Sequence, residues 1–131
     1  MNTSIILGIV GSRSYNDWEF FWQVVNEWTM ENGHPDKIIS GGANGVDNMA
    51  KRYAHEKAIA FDEINVIWSH GRNAGPVRNT TLVSNITHLL AFPSVLGRGT
   101  QDVIQKACSK RIPIEEWEVG ADNKTVKRIL S

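Results

Sequence analysis

IISGGANGVDNMA (38–50) runs from an apolar, strand-like segment through glycines into an amphipathic helix, and LLAFPSVLGRGTQDVIQKA (89–107) repeats that order. The first N–H groups of a helix have no partner inside it and its dipole favours negative charge there, so each junction suits an anion such as a phosphate. The same pattern sets the fold. IILGIV (5–10) is apolar on both faces, as a central parallel strand is, and ends at Gly11. After Asp17, which suits an N-cap, Trp18, Phe21, Trp22, Val25 and Trp28 recur at helical spacing until ENGHPD (31–36) breaks it. KIIS (37–40) reads as the second strand, and Val46, Met49, Ala50, Tyr53, Ala54 and Ala58 form one face of the next helix.

EINVIW (63–68) is predicted as the third strand and HLLAF (88–92) as the fourth, with Pro76 early in the helix between them. A helix with a face of Val103, Ile104, Ala107 and Cys108 leads to IPIEEWEV (112–119), the fifth strand. Strands alternating with helices imply an α/β, Rossmann-like, doubly wound parallel sheet of about five strands with helices on both faces. Segments 38–40 and 89–92 are expected to be adjacent interior strands. Residues 1–119 form the expected domain, and 120–131 a polar C-terminal tail or short helix.

Composition narrows the function. The chain has 131 residues, with 14 Lys plus Arg against 14 Asp plus Glu, which argues against a surface built to coat nucleic acid or an anionic membrane. Its single cysteine cannot make an internal disulfide, and IILGIV is too short to span a bilayer, so the cytoplasm is the expected compartment. The sequons at Asn2, Asn79, Asn85 and Asn123 carry no weight without secretion. His34, His55, His70 and His88 are far apart and lack carboxylate or thiol neighbours at ligand spacing, so neither a metal nor a cofactor is expected. Cys108 reads as a packed thiol rather than a nucleophile.

Four loops leave the carboxyl ends of the first four strands, and they carry Arg13, Arg72, Arg78 and Arg98 but no lysine. A single loop arginine is ordinarily solvated; four that converge would make a local anion site in a neutral protein. Gly41, Gly42 and Ala43 permit close backbone approach to a ligand, or a plain turn. Asp47 suits either a helix cap or a ribose hydroxyl, and Trp68 either a core position or the wall of a base site. The loops match neither a Walker A motif nor GxGxxG.

GSRSY (11–15), SGGANGVD (40–47), GPVRN (75–79) and GRGTQD (97–102), in that order, resemble the SLOG superfamily, which includes the Smf/DprA and Lonely Guy proteins, and within it the small YspA/YpsA-related branch. The resemblance implies a Rossmann-like domain that binds a nucleotide or an ADP-ribose-like ligand, as a sensor, carrier or sequestering homo-oligomer. The Trp/Phe-rich first helix points to an oligomer too. Ligand contacts would fall at Gly11, Ser12, Arg13, Gly41, Gly42, Ala43, Asp47, Trp68, Arg72, Gly75, Arg78, Asn79, Gly97, Arg98, Gly99, Thr100 and Asp102. Phosphoribohydrolase relatives carry PGGxGTxxE with a catalytic glutamate and an Arg-Lys pair. Here Val103 stands at the glutamate position and the pair reads Arg78-Asn79, so the resemblance supports binding rather than catalysis. An N-glycosidic hydrolase would have to use Asp47, Asp102 and Arg78 instead. Asp102, one residue from the glutamate position, is rotated by about 100° around the helix. DprA-like single-strand DNA binding is the third reading, and the charge balance counts against it.

Overall fold

A computed structural model describes residues 4–130; the sequon at Asn2 lies outside them. The elements run β1 (Ile6–Gly11), α1 (Trp18–Asn32), β2 (Lys37–Ser40), α2 (Val46–Glu56), β3 (Ala60–Glu63), a 3-10 segment (Trp68–Asn73), α3 (Ala74–Ser84), β4 (His88–Phe92), α4 (Gly99–Ser109), β5 (Ile114–Val119) and β6 (Val126–Ile129). The strands form one mixed sheet in the order β3-β2-β1-β4-β5-β6. β1 to β5 are parallel and β6 is antiparallel to β5.

Alternation along the strands divides the core between two faces. Leu7, Ile9, Ile38, Leu90 and Phe92 point to one side, where Phe21, Val24, Val25 and Trp28 of α1 and Val46, Met49, Ala50, Tyr53 and Ala54 of α2 cover them. Val10, Ile39, Leu89 and Ala91 point to the other, under Leu82 and Val83 of α3 and Val103 and Ala107 of α4. The chain therefore leaves β1 for one face and β4 for the other. The two strands are neighbours, so the sheet has its topological switch point between them, and a crevice opens beyond their carboxyl ends.

Four expectations need correction. Segments 38–40 and 89–92 are both interior and parallel, but β1 lies between them. The third strand is AFDE, not EINVIW, and it is an edge strand whose residues are mostly exposed. An edge strand needs no apolar run, and its register is supported by the Lys37–Asp62 pair across it at 2.8 Å. Residues 126–129 are neither tail nor helix but the sixth strand, paired Val119↔Val126 through Glu116↔Ile129. Cys108 is exposed, because the stripe of α4 that reaches the sheet is centred on Val103 and Ala107.

The aromatic surplus of α1, on which the oligomer expectation leans, is absorbed within the chain. Arg52 lies 4.0 Å over Trp18, Lys57 lies 4.6 Å over Trp22, and Phe20 meets Trp117 of β5 edge to face. Among the described residues no helix is long and apolar enough to cross a membrane.

Candidate functional site

The crevice has a volume of about 430 Å³, within the range of small-molecule sites. Backbone bonds fix its base: Ser12 N–H donates to Phe92 O (2.9 Å) and Val46 N–H to Ser12 O (3.0 Å), tying the ends of β1 and β4 to the start of α2. Gly45, the residue before α2, adopts φ 74° and ψ −127°, a conformation that only glycine adopts without strain. A Cβ there would lie 2.3 Å from Ser12 O and 2.5 Å from Arg13 O. The glycines of SGGANG are thus more than a plain turn: this one lets the loop close onto β1.

Two helix starts face the crevice without a side-chain cap. The N-cap of α2 is Gly45 and that of α4 is Arg98, so Asp47 and Thr100 each lie inside the first turn rather than capping it. The first N–H of α2 is taken by Ser12, whereas α4 presents Gly99 and Thr100 along the crevice wall. Beside them stand Arg13, Arg78 and Arg98. Arg78 is aimed by its neighbours: its Nε–H donates to Asn79 Oδ1 (2.9 Å), and Asn79 Nδ2 donates to Asp102 Oδ2 (2.9 Å). Lys106 closes the chain, donating to Asp102 and to Pro76 O. Burial pushes the Asp102 carboxyl up, but the hydrogen bonds from Lys106 and Asn79 and the Lys106 charge outweigh it and hold the group below the usual carboxylate range.

Asp47 is the one carboxylate among the described residues lining the crevice, and it is buried. Desolvation raises its pKa, against hydrogen bonds from the Ser40 side chain and the Ala43 N–H and the charges of Arg78 and Arg13. Its Oδ2 accepts a long bond from Ala43 N–H (3.3 Å), and the carboxylate lines the crevice. Gly41 makes room for this pair: a Cβ there would sit 2.3 Å from Arg78 Nη1 and 2.8 Å from Asp47 Oδ2. Because the folded pKa is raised, the charged form is disfavoured in the native state, and stability rises as pH falls through that pKa. In Asp47→Asn this pH dependence should vanish from the melting curve. Calorimetric titration with inorganic phosphate should show about threefold to tenfold tighter binding, since a negative charge has left the crevice while the acceptor for Ala43 stays. Unchanged phosphate affinity would mean that Asp47 does not face the bound anion.

Of the expected site residues, the crevice gathers Gly11, Ser12, Arg13, Gly41, Ala43, Asp47, Arg78, Asn79, Gly97, Arg98, Gly99 and Thr100. It does not gather Gly42, Trp68, Arg72, Gly75 or Asp102. Gly42 packs against Asn65, Asp102 stands behind Asn79, and Arg72 is exposed on the 3-10 segment, so three arginines converge rather than four. Trp68 is 79% exposed and lines neither the core nor the crevice. Val10, Leu82, Ser14, Ser94, Leu96 and Asn123 line the crevice beyond the expected contacts, as does Val103, which the resemblance aligns with the family's glutamate. Ser14 and Ser94 sit within the quoted loops and were readable there. Val10 and Leu82 carry only a core signal. Asn123 comes from a segment whose fold-back no local pattern announces. Among the described residues no three His, Cys, Asp or Glu side chains are grouped to hold a metal ion.

The switch-point crevice and the two-faced sheet define a Rossmann-like α/β protein. The chain belongs to the YspA, cpYpsA-related SLOG family, whose model matches residues 6–71. That match takes in β1 and the GSRSY and SGGANGVD loops, and Arg78 and the α4 start lie beyond it. The chain is also similar to the Gene 61 protein of Mycobacterium phage D29, with 29% identity over 115 residues, covering 81% of this chain and 90% of that protein. Its fold resembles that of DNA processing protein A from Helicobacter pylori, a structure described for its single-stranded DNA binding mode, with a TM-score of 0.64 and 17% identity. The likeness covers 86% of this chain but 64% of that one, and identity at this level speaks to fold alone.

Proposed function

We propose that this chain is a binding module for a phosphate-bearing, nucleotide-type ligand, such as an ADP-ribose-like molecule, acting as a sensor, carrier or sequestering protein. One observation carries the reading: three guanidiniums and the uncapped start of α4 share a crevice with a single buried carboxylate. Guanidinium forks and free helix N–H groups suit phosphate oxygens, and a carboxylate at the crevice wall suits ribose hydroxyls. The ligand would lie across the switch point with its phosphate at Gly99 and Thr100 and its sugar toward Asp47.

Calorimetric titration with inorganic phosphate, AMP, ADP-ribose and a thymidine oligonucleotide tests this. Binding of phosphate and of at least one nucleotide supports it; tight, steeply salt-dependent binding of the oligonucleotide alone would favour a DNA-binding role like that described for the Helicobacter protein. A hydrolase is the second reading, favoured by the raised pKa of buried Asp47, which suits a general acid. Against it, Val103 puts an apolar group on the crevice lining where phosphoribohydrolases carry glutamate. Incubation with a panel of nucleoside monophosphates should therefore release no free base above background. Hydrolysis abolished by Asp47→Asn would replace the binding role with catalysis.

A further inference from the structure

The segment after β5 folds back so that Asn123 reaches the crevice. Asp122 builds the turn, accepting from the backbone N–H groups of Thr125 and Lys124 and from the Thr125 hydroxyl, and these bonds hold its carboxyl down to about 2. Gly120 N–H donates to Thr125 O and closes the hairpin into β6. Asn123 adopts φ 59°, a left-handed conformation that asparagine tolerates better than most residues. Its Oδ1 accepts the Ser14 hydroxyl at 3.0 Å, leaving Nδ2 without a partner among the described residues. The hairpin is also tied to the β4–α4 loop: Val119 N–H donates to Pro93 O and Val95 N–H to Val119 O.

Ser14 follows β1 toward α1, on one face of the sheet, whereas Gly99 and Thr100 begin α4 on the other. Asn123, held by Ser14, and the α4 start line the same crevice. A ligand whose phosphate occupied that start would turn the rest of its body toward Asn123. We infer that the β5–β6 hairpin is the selectivity element of the crevice, with Asn123 donating Nδ2–H to an acceptor on the organic part of a phosphate ester. This rests on the phosphate reading above. The hairpin lies outside residues 6–71, so the selectivity belongs to the part of the chain beyond the family match.

Asn123→Gly is the informative variant, since glycine keeps the left-handed backbone and removes only the side chain. Ser14→Ala is its control: it breaks the same Ser14–Asn123 bond but leaves the amide in place. In titrations with AMP, ADP-ribose and inorganic phosphate, Asn123→Gly should weaken the better-bound nucleotide about tenfold and leave phosphate within about twofold of wild type. Ser14→Ala should cost about threefold or less. Equal losses in both variants would reduce Asn123 to a structural latch, and an unchanged Asn123→Gly would remove it from the site; either result overturns the inference while phosphate binding still stands. Nucleotides binding no tighter than phosphate would also overturn it. Failure of wild type to bind phosphate would instead remove the phosphate reading itself, and the inference with it.

Discussion

Gly45→Ala lowers the melting temperature by about 10 °C or more. Two costs add: a non-glycine residue in this region of backbone space costs about 1–3 kcal/mol, and its Cβ would overlap backbone atoms rather than a side chain that can turn away. The atoms it meets, Ser12 O and Arg13 O, belong to the turn that accepts the first N–H of α2. Relief means lifting α2 from β1, which opens the base of the crevice. A total near 3 kcal/mol corresponds to a shift of about that size for a domain of this length. Thermal melts followed by circular dichroism check it, and a loss under about 3 °C would show that the loop yields and that Gly45 is not what holds it closed.

Arg78→Ala should act in the opposite way, sparing stability and costing affinity. An arginine–phosphate contact contributes about 1.5–3 kcal/mol, so nucleotide binding weakens by roughly tenfold to a hundredfold. The folded protein loses the bond from Nε to Asn79 Oδ1 and a weak contact to Ile64 O at 3.4 Å, together worth about 1 kcal/mol. Calorimetric titration paired with a thermal melt separates the two effects. A variant that unfolds while keeping its affinity per folded molecule would make Arg78 a structural residue and leave Arg13 and Arg98 as the anion contacts.

What could be read in the sequence divides along physical lines. β1, β2 and β4 are buried on both faces and show it as continuous apolar runs, so IILGIV, KIIS and HLLAF place three strands of the parallel sheet and the loops after them. β3 and β6 escape that signal because edge strands need burial on neither side; AFDE and VKRI look like surface. The apolar EINVIW draws attention instead, though its Ile67 and Trp68 are exposed. Strand order is likewise absent from local pattern, since β2 and β4 would look the same side by side or separated by β1. At the site, the residues legible in sequence are those on loops directly after strands, whose direction the strand fixes. Trp68 and Arg72 fail because the 3-10 segment turns them away before α3 begins, and Gly75 falls in the first turn of α3 without lining the crevice. The link from Arg78 through Asn79 and Asp102 to Lys106 joins two helices, and the spacing along either one does not reveal it.

The two faces of the sheet are not equally furnished. The α1–α2 side encloses five buried aromatic rings, Tyr15, Phe21, Trp28, Tyr53 and Phe92, whereas the α3–α4 side is built from aliphatic residues alone. Aromatic side chains carry more buried area each, so local opening costs less on the aliphatic side. Arg78, Asn79 and Thr100 all ride on that side, while Arg13, Asp47 and Gly45 belong to the other. The crevice thus sits between an aromatic-rich jaw and an aliphatic one, and amide hydrogen exchange is expected to run faster in α3 and α4 than in α1 and α2.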